Sequence, residues 1–405
     1  MPVLANISTL YTCAGPAQGD VGATADAALV WEGDVIRWAG PARDLPAPYR
    51  DWPREDAGGG MVIPGLVDCH THLAFGGWRA DDFERRLRGE SYLQIAEAGG
   101  GIASTMRQTR ALSESELAER AAGFLAGMVA LGVTTVEAKS GYGLELDAEL
   151  RTLRAYRRLA ASQHIRLVPT FLGAHTVPPE YQDRREAYLA MVIDQMIPAV
   201  ARERLASFCD VFVERSAFSV DEARRVFRAA KSAGLTPKLH ADQITECGGA
   251  ELAAEVGAVS ADHLECVSGA GIAALTRGGV VAVSLPIATF YLGQAPQPSR
   301  KLINAGVAVA VATDFNPGSA PSYHLPWAML LACTLQRMSP AESLKGATLF
   351  GARALRLEDR IGSLEMGKQA DFAIIDAPDL SHWLYHFRPN ACRRTVIGGA
   401  TRWTS

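Results

Sequence analysis

The feature that most limits how this chain can fold is a theme repeated through its middle: a short β-branched run, a loop bearing polar residues, then an amphipathic helix. Such runs occur at 65–69, 134–138, 166–170, 210–214, 237–239, 259–261, 280–284 and 307–312. Helical patterning fills the gaps, over 115–131, 147–162 and 220–233 among others. The last of these opens at Ser219, a good N-cap, and stops at Gly234. Strands alternating with helices build right-handed βαβ units and a parallel sheet. Eight units over about 290 residues fit a closed barrel better than an open sheet. The expected class is therefore α/β, with a (β/α)8 TIM-like barrel.

The flanks follow a different pattern. Ala28-Leu29-Val30-Trp31 and Val35-Ile36-Arg37-Trp38 surround the turn Glu32-Gly33-Asp34 and read as a hairpin. Near the other end, 371–376 and 395–399 also read as strands. Neither end carries enough strand to form a sheet alone. The economical arrangement is a small β-sandwich domain built from both termini, 1–60 plus 363–405, with the barrel of 61–362 inserted between them. Within the barrel, the segment 89–113 contains Gly99-Gly100-Gly101 after a short helical stretch. It fits either a lid over the barrel mouth or a plain helix-capping turn.

Composition excludes several classes of function. With 48% hydrophobic and 21% charged residues and no biased tract, the 405-residue chain reads as an ordinary soluble globular protein. A net charge of −4 leaves no footprint for nucleic acid or for an acidic membrane. The N-terminus lacks the basic start and apolar run of a signal peptide, and no stretch approaches a membrane span. Seven scattered cysteines without a Cys-x-x-Cys pair argue against both a disulfide framework and a zinc knuckle. A reduced, cytoplasmic setting is expected.

The chemistry begins with Val67-Asp68-Cys69-His70-Thr71-His72 at the end of the first candidate strand. Residues i and i+2 of a strand face the same way, so both imidazoles can reach one metal ion. Alone, a His-x-His is as easily a pair of surface histidines. However, His240 ends the fifth run, His263 follows the sixth, and Asp314 ends the eighth. Four of nine histidines and an aspartate thus gather at strand ends of one barrel face, the face that carries catalysis in such folds. Neutral imidazoles with one carboxylate suit zinc or ferrous iron and leave a position for water, which makes carbonyl hydrolysis the natural chemistry.

These residues resemble the amidohydrolase superfamily and, within it, the imidazolonepropionase family. The likeness runs over nearly the whole chain. The general signature is the His-x-His motif with the tail phrase Gly362-Ser363-Leu364-Glu365-Met366-Gly367-Lys368-Gln369-Ala370-Asp371. The narrower likeness rests on Lys139-Ser140-Gly141-Tyr142-Gly143, Gly173-Ala174-His175, His240-Ala241-Asp242-Gln243 and Thr313-Asp314-Phe315-Asn316-Pro317-Gly318-Ser319. The resemblance implies hydrolysis of 4-imidazolone-5-propanoate to N-formimino-L-glutamate, a step of histidine breakdown. It also implies one divalent metal ion, zinc or iron, held by His70, His72, His240 and Asp314. Asp314 and His263 would be catalytic, with a fifth-ligand role as the alternative for His263. The implied substrate contacts are Arg79, Tyr142, His175, Gln243, Asn316, Gly318 and Ser319, the last standing where the family usually has threonine. The partners implied are the small-molecule substrate and, as is common in such barrels, a second copy in a homodimer.

The residues themselves agree with this. Arg79 lies seven positions after His72 and can bind a propionate carboxylate through two parallel hydrogen bonds. Tyr142 can meet the same carboxylate, and His175 can polarise or hold the ring carbonyl, or merely cap a turn. Nucleobase deaminases of the superfamily carry a glutamate three residues after the fifth-strand histidine, where this chain has Gln243. An amide can hold a ring by donating and accepting, but it cannot cycle a proton. Binuclear members bridge their metals with a lysine from the fourth strand; that strand here offers none, and Lys139 belongs to the second. A scaffold protein that had lost its metal should lack at least one ligand, and every ligand position is intact.

Overall fold

All eight β-branched runs form strands of one parallel sheet in this computed structural model, which describes residues 2–90, 94, 95, 98–386 and 388–405. In order they are Leu66–Asp68, Val133–Lys139, Arg166–Ala174, Phe208–Val213, Thr236–Ala241, Ser260–His263, Val281–Ser284 and Val309–Val311, called here the first to eighth barrel strands. Each pairs in parallel with the next. Their side chains are buried almost throughout, as expected of strands covered by helices outside and by packed side chains inside.

The barrel closes just beyond its first and eighth strands. Thr71 bridges Phe315 in parallel, Asp314 N–H donates to the His70 carbonyl at 3.0 Å, and His72 N–H donates to the Phe315 carbonyl at 2.8 Å. Below them the buried Asp68 carboxylate accepts from Thr313 N–H at 3.0 Å and from its hydroxyl at 2.6 Å.

Helix boundaries follow local chemistry. Ser219 caps Val220–Ser232 in a reciprocal box with Glu222, and Ser113 caps Glu114–Ala130 in the same way with Glu116. Of the segment 89–113, residues 91–93, 96 and 97 lie outside the described residues. Its glycine triplet leads into the helix Gly101–Ala111, with Gly100 at the cap and Gly101 N–H donating to Asp82 at 2.9 Å.

The termini build a second sheet, ordered Ala400–Thr404, Cys392–Ile397, Phe372–Ile375, Met61–Pro64, Val3–Tyr11, Ala23–Glu32, Val35–Pro41, with Arg54–Asp56 beside Val3–Tyr11. The expected hairpin is the last pair, turning at Gly33 with φ of +60°. The sheet folds back on itself. The Trp31 ring meets Phe372 edge-on at 5.1 Å, and its indole N–H donates to the Gly399 carbonyl at 3.0 Å. Leu4, Leu10, Leu29, Ile36, Val62 and Val396 fill the space enclosed.

One boundary needs correction. Met61–Pro64 pairs antiparallel with Phe372–Ile375, so the chain leaves the small sheet four residues later than the expected start at 61. The changeover is Gly65, where an added Cβ would lie 2.3 Å from the Thr134 hydroxyl. No described helix is long and apolar enough to cross a membrane.

Candidate active site

Strand ends of the barrel bring four potential ligands into one cluster. His70 and His72 follow the first strand, His240 lies near the end of the fifth, and Asp314 follows the eighth; all are buried. Asp314 Oδ1 is 3.4 Å from both His70 Nε2 and His72 Nε2, and His72 Nε2 is 3.4 Å from His240 Nε2. Donors bound at ~2.0–2.1 Å around a single ion stand roughly 3.3–3.4 Å apart in a tetrahedron. The His70–Asp314, His72–Asp314 and His72–His240 edges match this spacing.

The chemistry of the donors fits a cation as well. His70 Nδ1 faces Asp262 Oδ2 at 2.6 Å, and His240 Nδ1 faces Asp210 Oδ1 at 3.1 Å. A carboxylate partner fixes the proton on Nδ1 and leaves the Nε2 lone pair to the metal. His70 Nε2 is buried with no hydrogen-bond partner, a costly state unless an ion takes that lone pair. Burial pushes the Asp314 carboxyl up, but His70 and His72 outweigh it and hold the group well below its ordinary value, so it stays an anion. His70, His72 and Asp314 meet the spacing for a metal, as do His70, His240 and His263.

Backbone strain collects at the same place. Asp314 has φ of +57°, His263 +80° and Asp242 +48°, a region that non-glycine residues avoid. Such outliers persist where surrounding contacts over-determine them, and at Asp314 and His263 the side chains line a common cavity. Asp242 shows the device: its carboxylate accepts the amides of Cys247, Gly249 and Ala250 at 3.0–3.1 Å, locking the turn after the fifth strand.

A cavity of about 160 Å³ opens on this cluster. Arg79, Tyr142, His175, Gln243, Asn316 and Ser319 line it together with His72, His240, His263 and Asp314. Sequence reasoning had not singled out Phe212 and Ile102, the apolar part of its wall. A larger cleft of about 590 Å³ beside Glu214, Ser219 and Cys247 holds no metal-ligating cluster among the described residues, and its Arg185 and Glu222 pair with each other.

Three of the expected contact residues also have partners within the protein. His175 Nδ1 lies 2.9 Å from the Gly141 carbonyl, so it carries the proton and leaves Nε2 as an acceptor. Burial, reinforced by His72, pushes this imidazole down to about 3, so it is neutral. A neutral imidazole of this tautomer offers Nε2 to the cavity as an acceptor. Asn316 spends its amide locally, donating to the Asp314 carbonyl and Ser319 hydroxyl and accepting from the amides of Gly318 and Ser319. Gly318 supports Arg79, since a Cβ there would lie 1.0 Å from the guanidinium Nη2.

Beneath the histidine cluster lies a buried charge network, of which only Lys139 stands out in the sequence motifs. Glu137, Lys139, Asp210, Lys238 and Asp262 all sit inside barrel strands with no exposure. Charged residues inside β-branched runs were the available signal. Glu265 is a second omission, with Oε2 3.7 Å from His263 Nδ1 and Oε1 accepting from the Thr289 hydroxyl at 3.0 Å.

Known proteins agree with this geometry. Residues 61–402 match the Amidohydrolase family. An imidazolonepropionase of Porphyromonas gingivalis is 44% identical over 99% of this chain and 97% of its own length. One from Cupriavidus pinatubonensis is 49% identical over 89% of this chain and 86% of its own. Among solved structures, a zinc-bound adenosine deaminase from Xanthomonas campestris aligns over 100% of this chain and 93% of its own, with a TM-score of 0.74 at 19% identity. A 5-methylcytosine deaminase from Klebsiella pneumoniae liganded with 5-fluorocytosine covers 100% and 97%, with a TM-score of 0.75 at 17% identity. At such low identity these two establish the shared barrel fold alone. The chain belongs to the amidohydrolase family and, within it, to the imidazolonepropionases.

Proposed function

We propose that this protein opens the lactam ring of 4-imidazolone-5-propanoate with water to give N-formimino-L-glutamate. The observation that carries this reading is the 44–49% identity to imidazolonepropionases over most of both chains. The bond formed joins the water oxygen to the ring carbonyl carbon. The bond broken joins that carbon to a ring nitrogen, which becomes part of the formimino group.

His70, His72, His240 and Asp314 would hold a single divalent ion, which supplies a Lewis acid that activates water and polarises a carbonyl. Zinc and iron both suit three imidazoles and a carboxylate. Asp314, kept anionic, takes the proton of the attacking water and delivers it to the departing nitrogen. His263, facing the same cavity, hydrogen-bonds the oxygen that gains charge during attack. His175 accepts a ring N–H through Nε2, and the Gln243 amide both donates to the ring and accepts from it.

Arg79 grips the propionate carboxylate, with Tyr142 beside it. Burial raises the Tyr142 phenol above its ordinary value, so it remains a donor. Asn316, Gly318 and Ser319 shape the wall against which Arg79 rests. A homodimer in the cytoplasm completes the reading, and sedimentation of the purified protein tests the assembly. The activity is tested by metal analysis coupled to an assay for loss of the imidazolone and appearance of formiminoglutamate. Metal-replete protein without that conversion would remove the substrate assignment.

A further inference from the structure

Lys139 is buried at the end of the second barrel strand, and nothing in the mechanism above uses it. Its ammonium lies 2.7 Å from Asp210 Oδ2, 2.9 Å from Glu137 Oε1 and 3.5 Å from Asp262 Oδ2. Two of these carboxylates have a second task. Asp210 faces His240 Nδ1 through its other oxygen at 3.1 Å, and Asp262 faces His70 Nδ1 at 2.6 Å. One ammonium therefore stands between the two anions that orient two of the three imidazoles.

We propose that Lys139 is a positioning residue for the metal centre: it clamps Asp210 and Asp262 together, and through them sets His240 and His70 with Nε2 aimed at one point. Like charges gathered in a buried space repel strongly, because little solvent screens them. Without the ammonium, Asp210 and Asp262 move apart and carry their imidazoles with them. A shift of a few tenths of an ångström in each ring is enough to spoil the 3.4 Å spacing of the donors. The same contacts hold Lys139 away from the ion as a cation, so it serves as a counter-charge and not as a ligand.

This inference rests on the metal site proposed above, and the experiment separates the two. Metal-free protein is titrated with zinc against a chromophoric chelator, and the visible spectrum of the cobalt-substituted protein reports ligand geometry. Lys139→Met is expected to bind zinc roughly 10–100-fold more weakly than wild type and to show an altered cobalt spectrum. Glu137→Gln serves as the control. It removes a contact of Lys139 yet leaves both clamped carboxylates, so its affinity should stay within about threefold of wild type.

Lys139→Met binding within about threefold of wild type, with an unchanged spectrum, overturns the proposal. An equal loss in Glu137→Gln also overturns it, since the network would then act only as packing. Should Lys139→Met fail to fold, the charge-balanced pair Lys139→Met/Glu137→Gln is judged by the same thresholds. Wild-type protein that binds no metal at this site overturns the metal reading itself.

Discussion

The backbone amide of Asp314 donates to the carbonyl of His70 at 3.0 Å, so the seam that closes the barrel is also the edge that carries three of the four proposed metal ligands. The neighbouring bond from His72 N–H to the Phe315 carbonyl repeats the arrangement one step further. Ligands from opposite ends of the barrel sequence are thereby held in register by main chain. Their side chains are free to be chosen for chemistry, because the seam does not depend on them.

Asp314→Asn follows directly. The substitution keeps the seam and removes the proton acceptor, so the fold should persist while kcat falls roughly 10²–10⁴-fold. Metal content measured on the same sample separates lost proton transfer from lost ligation. An Asn variant with full metal and near-wild-type turnover would refute the role given to Asp314.

Metal removal should act on stability as well as on turnover. The converging imidazoles leave His70 Nε2 buried without a hydrogen-bond partner. An ion bound at 1,000 times its Kd adds about 4 kcal/mol to the folded state. Calorimetry should show the chelated protein unfolding at lower temperature, with Tm and activity restored together by zinc or iron. A Tm indifferent to chelator and metal would contradict an ion at this place.

The barrel and the cluster of histidines with Asp314 at its strand ends were legible because both leave a pattern along the chain. β-branched runs recur between amphipathic helices, and His70, His72, His240, His263 and Asp314 fall at the ends of such runs. The supporting layer was harder to read. Asp210 and Asp262 look like isolated charges in apolar strands, and only the closed barrel brings each behind a particular histidine. The packing of Gly318 was hidden for a similar reason: a motif shows that glycine is present, but not that the space it leaves is filled by Arg79. The domain boundary slipped at Met61–Pro64 because a four-residue apolar strand fits equally well at the edge of either sheet.

Glu222 offers a pH test away from the active site. Burial pushes its carboxyl up, but bonds from Arg185 and the Ser219 cap prevail and bring it down to about 2. Its folded value therefore lies below the ordinary glutamate value of ~4.3. The stabilisation is complete above that value and is lost as pH falls towards about 2. With Arg185 partly exposed, Glu222→Gln should cost about 0.5–1.5 kcal/mol at pH 7. In urea denaturation, the gap between wild type and variant should narrow steadily below pH ~4.5. A gap of constant size from pH 7 to pH 3 would show that charge on Glu222 contributes nothing.

The propionate grip can be tested without touching the arginine. Gly318 is not among the residues of positive φ, so alanine is sterically acceptable to its backbone. The added Cβ would instead strike the far end of Arg79, 1.0 Å from Nη2 and 2.1 Å from Cζ. A guanidinium on a flexible stem can swing aside, so Gly318→Ala should leave Tm nearly unchanged and displace the group that holds the carboxylate. Charge-assisted hydrogen bonds contribute about 1.5–3 kcal/mol, which corresponds to roughly a 10–150-fold rise in KM for Arg79→Met. Gly318→Ala should raise KM in the same direction, with little effect on a ring analogue that lacks the carboxylate. Because both substitutions act on one contact, their effects should fail to add, and Arg79→Met in the Gly318→Ala background should cost little more. Fully additive losses would place Gly318 and Arg79 in separate roles.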